Sequence, residues 1–221
     1  MALIQHWKCQ DNAASTTVVA TVGTNGTLEG GDNTSAKSTV DGPGTAYPRS
    51  FQLNGTDDAI DVSGASLSFA SGAAFTLCGW MKFQGLTDYL FGIVGASNNR
   101  FGKQSDTLLR LGTSTNSDFT FVAIGTGTWR HILVSKTAGN SVRCFLDGVE
   151  SSTGALTNAN TIAPTRLGRM NTDFYAGLLT DVRVYDSDEA ANVAAIMAEK
   201  DTAGGLAMPI VMHHRKLMMG Y

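Results

Sequence analysis

TWRHILVSKTAGNSVRCFLDGVES, residues 128–151, spells three antiparallel strands in succession, and its reading decides the fold. From Val142 to Leu146 the apolar Val142, Cys144 and Leu146 alternate with Arg143 and Phe145, the period of two that sends one set inward and the other outward. Asp147-Gly148 follows, a pair that tolerates the positive φ of a two-residue type I′ turn, and Val149 starts the return. Upstream, Trp129 to Lys136 carries Ile132 and Val134 on one face and Trp129, His131 and Leu133 on the other, joined through Thr137-Ala138-Gly139-Asn140. Apolar residues on both faces predict a central strand.

The same alternation extends outward. Phe75 to Phe83 (FTLCGWMKF) places Phe75, Leu77, Gly79 and Met81 opposite Thr76, Cys78, Trp80 and Lys82. Leu90 to Val94, Thr107 to Leu111, Asp118 to Ile124 and Thr165 to Leu167 are shorter strands between Gly, Asn and Ser turns. Ser50 to Leu53 and Ala59 to Val62 flank Asn54-Gly55, which predicts a second hairpin. Leu3 to Lys8 is a first strand, while residues 10–48 read as a long loop with one short strand. Gly177 to Tyr185 (GLLTDVRVY) is a last strand. Thereafter the period becomes helical: Asp186 and Glu189 fit a capping box, and Val193, Ile196 and Met197 share one side of a short helix expected against the sandwich edge. Gly204-Gly205 ends it. The pattern predicts an all-β, antiparallel β-sandwich over residues 1–200, with one short C-terminal helix and a tail, 201–221.

Composition agrees with one soluble, turn-rich unit: 43% of residues are hydrophobic, enough for a sizeable core, and 16% are charged. A net charge of −3 leaves no basic stripe to release counterions from phosphates, so nucleic acid is not an expected partner. No apolar run is long enough to span a membrane, and Met1 to Asn12 lacks the basic and apolar regions of a secretory signal. Cys9, Cys78 and Cys144 are odd in number and two lie within strand patterns, which predicts free thiols.

The order LIQHWKCQDN, FQLNGTDDAIDV, FTLCGWMKF, TWRHILVSK, VRCFLDGVE and GLLTDVRVYDSDEAANVAAI resembles the laminin G-like domains of the concanavalin A-like jelly-roll superfamily, from Leu3 to about Glu199. The resemblance implies two stacked, curved sheets and a surface that binds glycans or proteins in some relatives. It also implies calcium at the sandwich edge, with Asp181 on the last strand and Asp11 after the first as ligands. Thr21 stands where relatives often have Asp, and calcium takes six to eight oxygens, so Asp181 reads equally as a polar or ion-paired strand residue.

Catalytic chemistry is not expected. Glycoside hydrolases of this superfamily need two facing carboxylates, and Glu29, Glu150, Glu189 and Glu199 do not form their E-x-D-x-x-E strand. Asp57, Asp58 and Asp61 read as solvated turn residues. His131 reads as a hydrogen-bonded sheet histidine, and the adjacent His213 and His214 lack the Cys or carboxylate partners of a zinc set. The tail is the sharper feature: Met208, Ile210, Met212, Leu217 and Met218 surround a basic centre, a composition suited to docking on a partner subunit in a homo-oligomer or particle, or back onto the sandwich. Two non-catalytic readings follow. One is a virion protein, such as a capsid decoration or tail-associated module, which accounts for the missing leader. The other is a calcium-dependent lectin, cytoplasmic or leaderless extracellular.

Overall fold

The computed structural model describes residues 2–96 and 98–202. Two antiparallel sheets face each other. The first runs Val149–Glu150, Ser141–Leu146, Trp129–Lys136, Phe75–Phe83, Ala176–Tyr185, Leu3–Trp7 and Ala20–Val22, with Ser50–Asn54 also on Ala176–Tyr185. The second runs Asn116–Thr120, Leu108–Gly112, Arg100–Ser105, Asp88–Gly92, Arg166–Leu167, Ile60–Asp61, Gly26–Leu28 and Thr17–Val18. A small hairpin, Arg169–Met170 with Asp173–Phe174, stands apart. The core lies between the sheets: Phe75, Leu77, Met81, Ile132, Val134, Val142 and Cys144 from the first meet Leu90, Phe101, Leu109, Leu111 and Phe119 from the second. Each such side chain contributes about 1.5–3 kcal/mol on burial, which makes the alternating pattern the main determinant of register.

The ladder between Trp129–Lys136 and Phe75–Phe83 sets His131 opposite Trp80 and Leu133 opposite Cys78 on the outer face. That face is apolar because something covers it. Ala190, Val193 and Ile196 pack on Cys78, Leu133, Phe145 and Tyr185, forming a second core outside the first sheet. Phe145, which alternates with the inward Cys144 and Leu146, is thereby buried. The helix, Val193–Ala198 after a 3₁₀ turn at Ala190–Asn192, lies on the sheet's face rather than at its edge. The expected capping box is also displaced. Asp188 Oδ1, not Asp186, accepts from the Ala190 N–H at 3.1 Å, while Glu189 is buried on Ser187 and Asn192.

Two other expectations change. Asn54-Gly55 is not a hairpin turn: Ser50–Asn54 belongs to the first sheet and Ile60–Asp61 to the second. Asn54 Oδ1 accepts from the N–H groups of Thr56 and Asp57 at 2.8 and 3.1 Å, coiling the chain into a passage between layers. Residues 10–48 hold four short strands rather than one: they supply Thr17–Val18 and Gly26–Leu28 to one sheet and Ala20–Val22 and Ser38–Thr39 to the other. All three cysteines are buried and unpaired. No helix among the described residues is long and apolar enough to cross a membrane.

Candidate functional site

On the second sheet Leu90, Leu109 and Leu111 face the core, so Tyr89 and Arg110, one residue out of phase, face outward. The small hairpin lies over this outer face because Gly92 leaves room for it. A Cβ at Gly92 would come 2.0 Å from the Arg169 carbonyl oxygen. Between the hairpin and the sheet opens a groove of about 530 Å³, lined by Tyr89, Gln104, Thr87, Thr172, Asp173 and Phe174, with Gly55 at one side.

Gln104, Tyr89 and Phe174 are held from behind. Gln104 Oε1 accepts from Arg110 Nη1 at 3.2 Å and stands 3.5 Å from the Tyr89 hydroxyl. Arg110 is in turn clamped by Asp118 through two bonds of 2.6 and 2.7 Å. Arg100 lies 5.6 Å over the Tyr89 ring, and Arg169 lies 4.5 Å over the Phe174 ring. Burial raises the Tyr89 hydroxyl's pKa, so it stays protonated and can both donate and accept. An apolar ring, a phenol, an amide, two threonine hydroxyls and one carboxylate thus converge on a concavity. Such a set recognises a ligand that presents both apolar faces and hydroxyl groups.

The residues expected to carry a function lie elsewhere. Asp181 is 1% exposed at a bulge where the pairing register of Ala176–Tyr185 shifts between Thr180 and Arg183. Its φ of +51° is the left-handed conformation that Asp tolerates better than most residues. Here the strand changes partner, from Ser50–Asn54 at residues 176–179 to Leu3–Trp7 at residues 182–185. Asp181 Oδ1 accepts from His6 Nε2 at 2.8 Å and Arg183 Nε at 2.7 Å, and Oδ2 accepts from Arg183 Nη2 at 3.1 Å. Arg183 also donates to the Tyr47 hydroxyl at 2.7 Å and pairs with Glu199 at 2.7 Å. Burial pushes the Asp181 carboxyl's pKa up, but the bonds from His6 and the charge of Arg183 outweigh it and hold the group below its ordinary value.

This arrangement does not fit a calcium ion. Both Asp181 oxygens point at a guanidinium, and Asp11 Oδ2 accepts from the Val19 N–H at 3.1 Å. Among the described residues no three His, Cys, Asp or Glu side chains form a metal-holding group. Asp58 is not a solvated turn residue: it is fully buried, pairs with Lys37 Nζ at 2.6 Å and accepts the Asn54 N–H at 2.9 Å. Asp57 is exposed, as expected, and Asp61 pairs with Arg166 at 2.8 Å. His131 is a sheet histidine, but both imidazole nitrogens are buried without a hydrogen-bond partner among the described residues. The tail positions Met208, Ile210, Met212, Leu217 and Met218, with His213 and His214, lie outside the described residues. Sequence reasoning missed Tyr89, Gln104 and Phe174. The available signal was the aromatic pair Phe174-Tyr175 directly after the polar run Asn171-Thr172-Asp173.

A laminin G family model of the concanavalin A-like lectin/glucanases superfamily matches residues 54–196, and the chain belongs to that superfamily. No curated protein matches it. Among solved structures it is similar to domain 4 of AbnA, a GH43 extracellular arabinanase from Geobacillus stearothermophilus, solved in complex with arabinotriose. Identity there is 22%, with 88% of this chain and 97% of that one covered and a TM-score of 0.60. It is similar to the Trypanosoma rangeli sialidase at 11% identity, covering 92% of this chain and 34% of that one, with a TM-score of 0.61. The botulinum neurotoxin serotype G binding domain gives 10%, 90%, 51% and 0.60. At these identities the likeness is one of fold. The chain spans about a third of the sialidase's length and half of the toxin domain's.

Proposed function

We propose that this jelly-roll domain is a non-catalytic module that binds a carbohydrate in the groove between Tyr89, Gln104 and Phe174. The observation that carries the reading is the groove's lining, which combines an aromatic ring with hydroxyl and amide groups at fixed positions. Sugars present hydroxyls along their edges and C–H faces above and below the ring, and such a lining answers both. The arabinanase domain with a similar fold, solved with arabinotriose, supports a glycan as the ligand class. Hydrolysis would need a second carboxylate across the bond to be cut, and the lining holds Asp173 alone. The tail through which a virion protein would assemble lies outside the described residues, and the fold adds no support to that reading.

Phe174→Ala and Gln104→Ala test the groove. Both side chains are half-exposed, so each variant should keep its far-ultraviolet spectrum. On an oligosaccharide array followed by calorimetry, each should weaken the best-binding glycan at least about tenfold, or ~1.4 kcal/mol. Binding that survives both changes, or no binding across the array, would overturn the proposal.

A further inference from the structure

The charges around the groove cancel. Four arginines belong to this face: Arg110 is clamped by Asp118, Arg166 pairs with Glu29 at 3.1 Å and with Asp61 at 2.8 Å, and Arg169 reaches Glu29 at 3.4 Å. Arg100 is 8% exposed beneath the surface, held over Tyr89 with Nη1 3.9 Å from the Met170 sulfur. Arg110, Arg166 and Arg169 therefore meet carboxylates, and Arg100 is buried against the Tyr89 ring. Against them stand Asp118, Glu29, Asp61 and Asp173, and only Asp173 both lines the groove and is exposed.

On the premise that the groove is a glycan site, we infer that it takes neutral saccharides, pentose or hexose oligomers, and discriminates against uronic and sialic acids. Recognition of an acidic sugar needs a cation whose donors are directed at the ligand, usually a guanidinium gripping the carboxylate through two bonds. Arg110 has spent that geometry on Asp118. An incoming carboxylate would meet Asp173 first, and like charges brought together in a partly desolvated groove repel. A neutral sugar meets neither obstacle. Its hydroxyls can donate to Asp173 and to Gln104 Oε1 and accept from Tyr89, Thr87 and Thr172.

Calorimetry with arabinotriose and xylotriose in one arm, and sialyllactose and trigalacturonate in the other, tests the charge rule separately from the site. The expected result is binding to a neutral trimer, with affinity changed less than about twofold between low and high salt, and acidic ligands at least about tenfold weaker. Asp173→Asn should narrow the ratio of neutral to acidic affinity about tenfold. Acidic ligands that bind as well as neutral ones, and lose binding in Phe174→Ala, would overturn the charge rule and keep the site. Binding indifferent to Phe174→Ala would overturn the site itself.

Discussion

His131 and Asp88 are titratable groups taken out of water in opposite senses. Burial lowers the imidazole pKa from 6.5 to about 4, with the Trp80 ring tilted against it at a centroid distance of 5.2 Å. Between those values the unfolded chain binds the proton and the folded chain does not. Stability therefore falls as pH drops from about 6.5 to 4, by ~3 kcal/mol in all. Burial raises the Asp88 carboxyl from 3.8 to about 6, with the Gly85 N–H and Lys103 acting against it. Its contribution is present below about 4 and lost as pH rises through 6, again by ~3 kcal/mol. The two slopes oppose each other over nearly the same window. Urea unfolding from pH 4 to 7 should be flat in the parent chain, fall with rising pH in His131→Leu, and rise with pH in Asp88→Asn. Equal slopes in all three would refute the assignment. Asp181 belongs to this scale as well. Asp181→Ala leaves Arg183, 2% exposed, with only Glu199 as an acidic partner among the described residues, and should cost ~3–5 kcal/mol. Chelator should leave the thermal midpoint of the parent chain unchanged, because a guanidinium already holds Asp181; a fall of several degrees would place a cation there.

Among the elements, those with five or more residues of alternation were legible in advance. Phe75–Phe83, Trp129–Lys136, Ser141–Leu146 and Ala176–Tyr185 each show a side that must be buried, and four paired strands of this kind leave few arrangements other than a sandwich. Two-residue strands such as Thr17–Val18 carry no period, so they are specified by the sheet edge that receives them. Arg100–Ser105 was missed for another reason. Gly102 is there because a Cβ would come 2.3 Å from the Asp88 carbonyl oxygen, and Lys103 buries its charge over the Phe83 ring, so polarity masks a strand. The groove was invisible because Tyr89, Gln104 and Phe174 come from three segments joined by sheet order alone. Lys37, on the short helix Thr34–Lys37, shows what such long-range pairing is worth. Lys37→Met strands the Asp58 carboxylate in the interior and should lower stability by ~3–5 kcal/mol in denaturant titration; a loss under ~1 kcal/mol would mean that the pair does not hold this segment in place.

Across the whole molecule, the two sheets have divided their outer faces. The first is closed by Ala190, Val193 and Ile196, which turn its apolar outer side into a second core, and the second remains open beneath the Arg169–Phe174 hairpin. The closed side and the proposed glycan groove therefore lie on opposite sides of one sandwich, separated by the main core. Ile196→Ala removes buried methylenes from the closed side and should cost ~2–4 kcal/mol. Since Ile196 touches no residue of the groove, glycan affinity measured well below the new melting temperature should stay within about twofold of the parent. Phe174→Ala should do the reverse, abolishing binding with less than ~1 kcal/mol of stability lost. An Ile196→Ala chain that folds yet no longer binds would show that the helix and groove act through a shared conformational equilibrium, and the division of faces would have to be abandoned.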